Sequence, residues 1–178
     1  MSKPRIATVW LDGCSGCHMS LLDIDERIIE LSKSIELVYS PLVDAKEFPK
    51  NVDVTFVEGA VGNEENRHLI ELIRERTKTL VALGDCAVTG NVVAMRNRFT
   101  VTDVLERAFG DTAPCIEELS NTTDSVPALL PTAVPVHEIV EVDVFVPGCP
   151  PQADLIYSVI QELCAGRIPN VGASVKFG

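Results

Sequence analysis

This chain of 178 residues holds six cysteines, and four of them share a setting: each follows the apolar end of a stretch that reads as a β-strand. Cys14 and Cys17 lie in TVWLDGCSGCH, Cys86 in TLVALGDCA and Cys149 in VDVFVPGCPP, with glycine marking the turns. An open α/β sheet gathers the carboxyl ends of its strands along one edge, where ligands bind. Cysteines far apart in sequence therefore meet there. Four converging thiolates are the donor set of a metal or iron–sulfur site.

Other chemistries fit parts of the pattern. A two-residue gap between cysteines is common to zinc sites, iron–sulfur clusters, redox dithiols and haem attachment. CSGCH, ending at His18, matches the haem pattern letter for letter, but covalent attachment generally occurs outside the cytosol and no export signal is read. A thioredoxin-like dithiol explains Cys14 and Cys17 and leaves Cys86 and Cys149 idle. Burial as a small hydrophobe fits any one cysteine, and fits three strand–turn positions less well. It suits Cys115, in a loop, and Cys164, on the apolar side of the last helix, so both stay outside the site. Structural zinc prefers small ribbons with paired CxxC knuckles, whereas here one pair and two single cysteines spread over a large core. The Cys-Pro of GCPP is similar to the ending of ferredoxin motifs. Backbone N–H groups in the turns, and helix starts after Cys17 and Cys149, would stabilise an anionic cluster and lower the thiol pKa values. The reading preferred is an iron–sulfur cluster.

Composition narrows the class. Apolar residues make up 46% of the chain and the formal net charge is −11, with no basic stripe, which argues against nucleic acid as a partner. The first apolar run is short and contains Asp12, so no secretory signal is read, and no stretch is long enough to span a bilayer. A cytoplasmic setting is therefore expected, and in a reducing cytosol six cysteines read as ligands or buried thiols rather than a disulfide framework.

The elements that must position the cysteines follow from periodicity. Residues 6–10, 35–39, 52–57, 79–83 and 142–146 read as strands. Helices are expected over 20–31, with Leu21, Ile24, Ile28 and Leu31 on one face, and over 62–78, with acids early and bases late. A last helix is expected from Pro151 to about Gly166. Residues 112–135 read as a long irregular loop rich in Pro, Ser and Thr. Alternating strands and helices predict one α/β domain over residues 1–168 with a mostly parallel sheet. Residues 169–178 are expected to form a tail without order of its own.

Taken in order, WLDGCSGCHMSLL, VEGA, ALGDCAVTGN and VPGCPPQADLI resemble the small subunit of [NiFe]-hydrogenases, over about residues 6–166. The tetrapeptide CHMS and the short length are most similar to the soluble, bidirectional, NAD(P)-reducing branch. The resemblance implies a flavodoxin-like fold and a single proximal [4Fe–4S] cluster on Cys14, Cys17, Cys86 and Cys149. It implies a large-subunit partner holding nickel and iron, and a diaphorase pair carrying FMN and further clusters that passes electrons to NAD(P)+. No catalysis is expected from the isolated chain. The related subunit of NADH:quinone oxidoreductase has adjacent cysteines at the first ligand position, so the CxxC spacing favours the hydrogenase branch.

Membrane-bound hydrogenase small subunits carry a twin-arginine leader and a C-terminal domain with two more clusters, neither of which is read here. Two cysteines remain after the four, too few for a second all-cysteine cubane, so electrons are expected to leave directly to another subunit. No flavin is expected here, because cysteines occupy the first turn where a phosphate cradle would lie. Glu58, in VTFVEGA, follows an apolar strand and reads either as a cap for backbone N–H groups or as a member of the cysteine edge. The resemblance places it near the cluster, where it would take up a proton or tune the cluster.

Overall fold

The computed structural model describes residues 3–110 and 126–172. Its main sheet is wholly parallel and consists of β1 (Arg5–Trp10), β2 (Glu36–Tyr39), β3 (Val52–Glu58), β5 (Thr77–Leu83) and β7 (Val144–Val146). The spatial order is β2-β1-β3-β5-β7. Counting only these strands, that is the 2-1-3-4-5 order of flavodoxin-like sheets, whose switch point lies between the first and third strands. The expected α/β class and parallel sheet are thus found.

Alternation along the strands builds two cores, because successive side chains point to opposite faces. Ile6, Val54, Phe56, Val81, Leu83 and Val146 face one side, under α1 (Gly16–Leu22), α2 (Arg27–Ser34) and α6 (Ala153–Cys164). Ala7, Val9, Val57, Leu80 and Ala82 face the other, under α3 (Glu64–Arg76) and α4 (Asp85–Thr89). The central strands are buried on both faces, which is why they read as continuous apolar runs.

Several expected boundaries change. The helix expected over 20–31 is two helices, separated by a turn in which Asp25 takes a left-handed φ of 56°. Ile24, in that turn, still reaches the core, so the apolar spacing reports burial and not an unbroken helix. Gly62 belongs to β4 (Val61–Asn63), and α3 starts only after Asn63, whose side chain accepts the Asn66 N–H at 2.8 Å. Lys78, expected to close that helix, lies in β5. Part of the expected loop is a strand, β6 (Leu129–Val134), antiparallel to β4. The pattern also hid α4, a 3-10 helix at Val93–Arg98 and α5 (Val101–Phe109), which a Thr100–Asp103 capping box starts. Cys115 and residues 111–125 of the expected loop, and residues 173–178 of the expected tail, lie outside the described residues. Among the described residues no helix is long and apolar enough to cross a membrane.

Candidate metal centre

Three turns at the carboxyl edge of the sheet carry the four cysteines. After β1 the chain stays tied to the end of β3: Leu11 N–H donates to the Glu58 carbonyl at 2.8 Å, and Asp12 and Ala60 exchange backbone bonds of 3.0 and 2.7 Å. Gly59 permits this approach at a φ of 96°, since a Cβ there would stand 2.7 Å from the Asp12 carbonyl oxygen. The chain then turns through Gly13, Cys14 and Ser15, the last at a left-handed φ of 65°, into α1 with Cys17 in its first turn. After β5 come Gly84, Asp85 and Cys86, and after β7 come Pro147, Gly148 and Cys149.

Glu58, the last residue of β3, is 3% exposed. Its Oε2 accepts the backbone N–H of His18 at 2.9 Å and meets His18 Nδ1 at 2.5 Å, and its Oε1 accepts the Cys17 N–H at 3.4 Å. Both readings of Glu58 are therefore present in geometry: it caps the first N–H groups of α1, and it does so among the cysteines. His18, 2% exposed, packs edge-on to Trp10 with centroids 5.3 Å apart, and its Nε2 has no hydrogen-bond partner among the described residues. In the CSGCH segment the histidine is thus held inward by Glu58.

The turns touch one another through small contacts. A Cβ on Gly84 would lie 2.2 Å from Cys17 Sγ, so glycine leaves the room that this thiol occupies. Asn91 Nδ2 donates to Cys149 Sγ at 3.5 Å, and the Val92 N–H donates to the Cys86 thiol. Ser20 Oγ donates to the Pro151 carbonyl, which fastens α1 to the turn of Cys149.

Electrostatics show that the four thiols form one group. Burial pushes the Cys17 thiol far up, and the charges of Glu58, Cys86, Cys14 and Cys149 push the same way. Burial also raises Cys86, followed by Cys14 and Cys149; the Val92 N–H opposes this, and Glu58 adds to the rise. A turn N–H, that of Val92, does lower the Cys86 thiol as expected, but burial outweighs it. In the metal-free chain, desolvation and mutual repulsion outweigh the N–H groups. A bound cationic metal would invert that balance for Cys17 and Cys86.

A cluster fits these residues. Among the described residues no three His, Cys, Asp or Glu side chains stand close enough together to hold one metal ion. A zinc ion draws its sulfur ligands to about 2.3 Å from one point, whereas a cubane takes one thiolate on each iron. Four thiols in mutual electrostatic reach suit the second arrangement. Cys164 lies elsewhere: it lines a pocket with Lys3, Asp53 and Thr79, at the opposite end of β3 and β5. Asp85, His18, Asn91 and Val92 were not singled out from sequence as parts of the site. Only Asp85, between the Gly and Cys of a strand-end turn, carries a local signal.

The structure is thus a parallel α/β sheet with four cysteines on turns at its carboxyl edge. The family described as NADH ubiquinone oxidoreductase, 20 Kd subunit, matches residues 14–163, and the chain belongs to it. The "NAD-reducing hydrogenase HoxS subunit delta" of Cupriavidus necator is 38% identical over 177 residues, covering 98% of this chain and 85% of that subunit. A structure of "NAD+-reducing [NiFe]-hydrogenase in the H2-reduced state" contains a chain with a TM-score of 0.91 and 37% identity, covering 99% of this chain and all of that one. The iron-sulfur subunit of an F420-non-reducing hydrogenase from Archaeoglobus profundus is 28% identical over 98% of this chain, which spans only 60% of that relative.

Proposed function

We propose that this chain is the electron-transfer small subunit of a cytoplasmic NAD(P)-reducing [NiFe]-hydrogenase, and that Cys14, Cys17, Cys86 and Cys149 hold its single [4Fe–4S] cluster. The observation that carries the reading is the gathering of these four thiols, from three turns, into one electrostatic group. Similarity along nearly the full length of an NAD-reducing hydrogenase subunit supports the assignment of the complex.

When bound, the cluster supplies a one-electron carrier between the nickel–iron site of a large subunit and a flavin-bearing diaphorase. The chain's own residues hold and tune that place. Cys17 is buried and Cys86 half-buried, and Cys14 and Cys149 stand at the exposed rim. N–H groups of Asn91 and Val92 reach the Cys149 and Cys86 sulfurs, and that of Val92 works against the rise that burial imposes on Cys86. Glu58 orders the first turn of α1 and sets a carboxylate beside the thiols, where it tunes the site. Exposed Trp10, Met19, Val92 and Met95 lie on the elements that carry or follow the cysteines and give a partner apolar surface to cover.

Anaerobic reconstitution with iron and sulfide tests the ligand set. Wild-type chain is expected to bind a cubane, each of the four Cys→Ala changes to impair it, and Cys164→Ala to leave it intact. A Cys86→Ala chain with a full cubane and unchanged spectra would show the assignment to be wrong. Similarity to the Archaeoglobus protein favours a second reading, a hydrogenase linked to another acceptor. Tagging the chain in its host separates the two: co-purification of a large subunit with flavin-bearing diaphorase subunits supports the first, and co-purification with a different acceptor module supports the second.

A further inference from the structure

We propose that Asp85 is a positioning residue that couples the turn of Cys86 to the turn of Cys149 before any cluster is present; this rests on the ligand assignment above. The paired ladder of β5 and β7 ends at Leu83 and Val146, one and two residues short of Gly84–Asp85 and Gly148. Past that point two parallel strands have no further rung, and their turns are free to separate. Here they do not. Gly84 N–H donates to the Val146 carbonyl at 2.8 Å, and Asp85 N–H donates to the Gly148 carbonyl at 2.9 Å. In return the Asp85 carboxylate accepts the Gly148 N–H at 2.7 Å, so its side chain stands where a backbone carbonyl would complete the rung.

The reciprocal pair needs its glycines. Gly84 and Gly148 take φ of 83° and 141°, and a Cβ on Gly148 would stand 2.6 Å from Pro151 Cα. Asp85 is 5% exposed, and its carbonyl accepts the Thr89 hydroxyl at 2.9 Å, which locks the first turn of α4. A short bond from a backbone N–H to a buried carboxylate is charge-assisted and stronger than its neutral counterpart. Burial of that charge is costly unless it is well bonded. Asp85 thus acts between β5 and β7 as Glu58 acts between β3 and α1. Each buried carboxylate bonds the backbone of a neighbouring cysteine turn.

The test compares Asp85→Ala, Asp85→Asn and Cys86→Ala in the assembled complex and in the chain alone. Iron content, the spectrum of the reduced cluster and Gly148 amide exchange are the readouts. Asp85→Ala removes the acceptor, so Gly148 exchange accelerates and iron retained against a chelator falls about tenfold or more. Asp85→Asn keeps an amide oxygen for the Gly148 N–H, so iron retention and Gly148 exchange stay near wild type. Wild-type iron retention and exchange in Asp85→Ala overturn the proposal, as does an Asp85→Asn chain that loses iron and Gly148 protection. If Asp85→Ala does not fold, iron retention and Gly148 exchange in Asp85→Asn still decide. Loss of iron in Cys86→Ala alone sinks only the role of Asp85, whereas unchanged iron in Cys86→Ala sinks the ligand assignment.

Discussion

Gly84→Ala is the most informative single change, because the added methyl group meets the thiol of Cys17, a proposed ligand. Gly84 sits at φ 83° and ψ 161°, a region that is nearly exclusive to glycine. Holding alanine there costs about 1–3 kcal/mol in strain. The new Cβ would stand 2.2 Å from Cys17 Sγ, while its next neighbour, the Gly148 carbonyl oxygen, is at an ordinary 3.5 Å. Overpacking of this kind costs about 1–3 kcal/mol and is relieved by moving the group that clashes. That group is Cys17. The change therefore removes about 2–6 kcal/mol from a chain whose total stability is about 5–15 kcal/mol, and its damage falls on the site. Gly13→Ala is the matched control in the neighbouring turn: its Cβ would meet Gly59 Cα at 3.4 Å and Glu58 Oε1 at 4.0 Å, both tolerable. The assay is iron per chain after anaerobic reconstitution, with thermal melting of the metal-free chain beside it. Gly84→Ala is expected to melt lower and bind less than half the wild-type iron, and Gly13→Ala to match wild type. Wild-type iron and spectra in Gly84→Ala would refute the placement of Cys17.

Glu58→Gln replaces an acceptor of three N–H groups with an amide that must turn a donor toward at least one of them, at a cost of about 1–3 kcal/mol. The complex is expected to assemble and retain iron, with lower melting and a shifted midpoint potential or slower H2 turnover. Asn63→Ala removes the cap of α3 and should cost about 1 kcal/mol, a fall of roughly 2–4 °C in melting temperature, with iron unchanged. Burial and the Asp53 carboxylate raise the Cys164 thiol above its ordinary 9.0. Folding therefore favours the protonated thiol, and this contribution is complete below pH 9 and lost as pH rises beyond it. Melting temperature between pH 7 and pH 10 should fall less steeply in Cys164→Ala than in wild type, and parallel curves would contradict the shift.

The central strands were legible because parallel strands buried on both faces must be apolar throughout, as VTFVE and TLVAL are. The cysteines were legible because they stand in the turns that follow such strands, although Cys17 also packs into the core under α1. Helix ends were less so. Asp25 breaks the pattern of residues 20–31 by its backbone conformation, while the apolar spacing continues across the turn. β6 was hidden because the proline in LLPTAV speaks against a strand interior, yet it is accommodated in a two-stranded ribbon. The roles of Asp85 and His18 depend on partners 63 and 40 residues away, at Gly148 and Glu58, and no local pattern encodes such distances.

Quantifying iron and acid-labile sulfide in the anaerobically reconstituted chain, together with the electron paramagnetic resonance of its reduced cluster, tests the central claim most directly. The account predicts about four irons and four sulfides bound by this chain. It also predicts a reduced-cluster signal that disappears when any of Cys14, Cys17, Cys86 or Cys149 is replaced. A single zinc ion with no labile sulfide, or a cubane that survives loss of one of these cysteines unchanged, would contradict it.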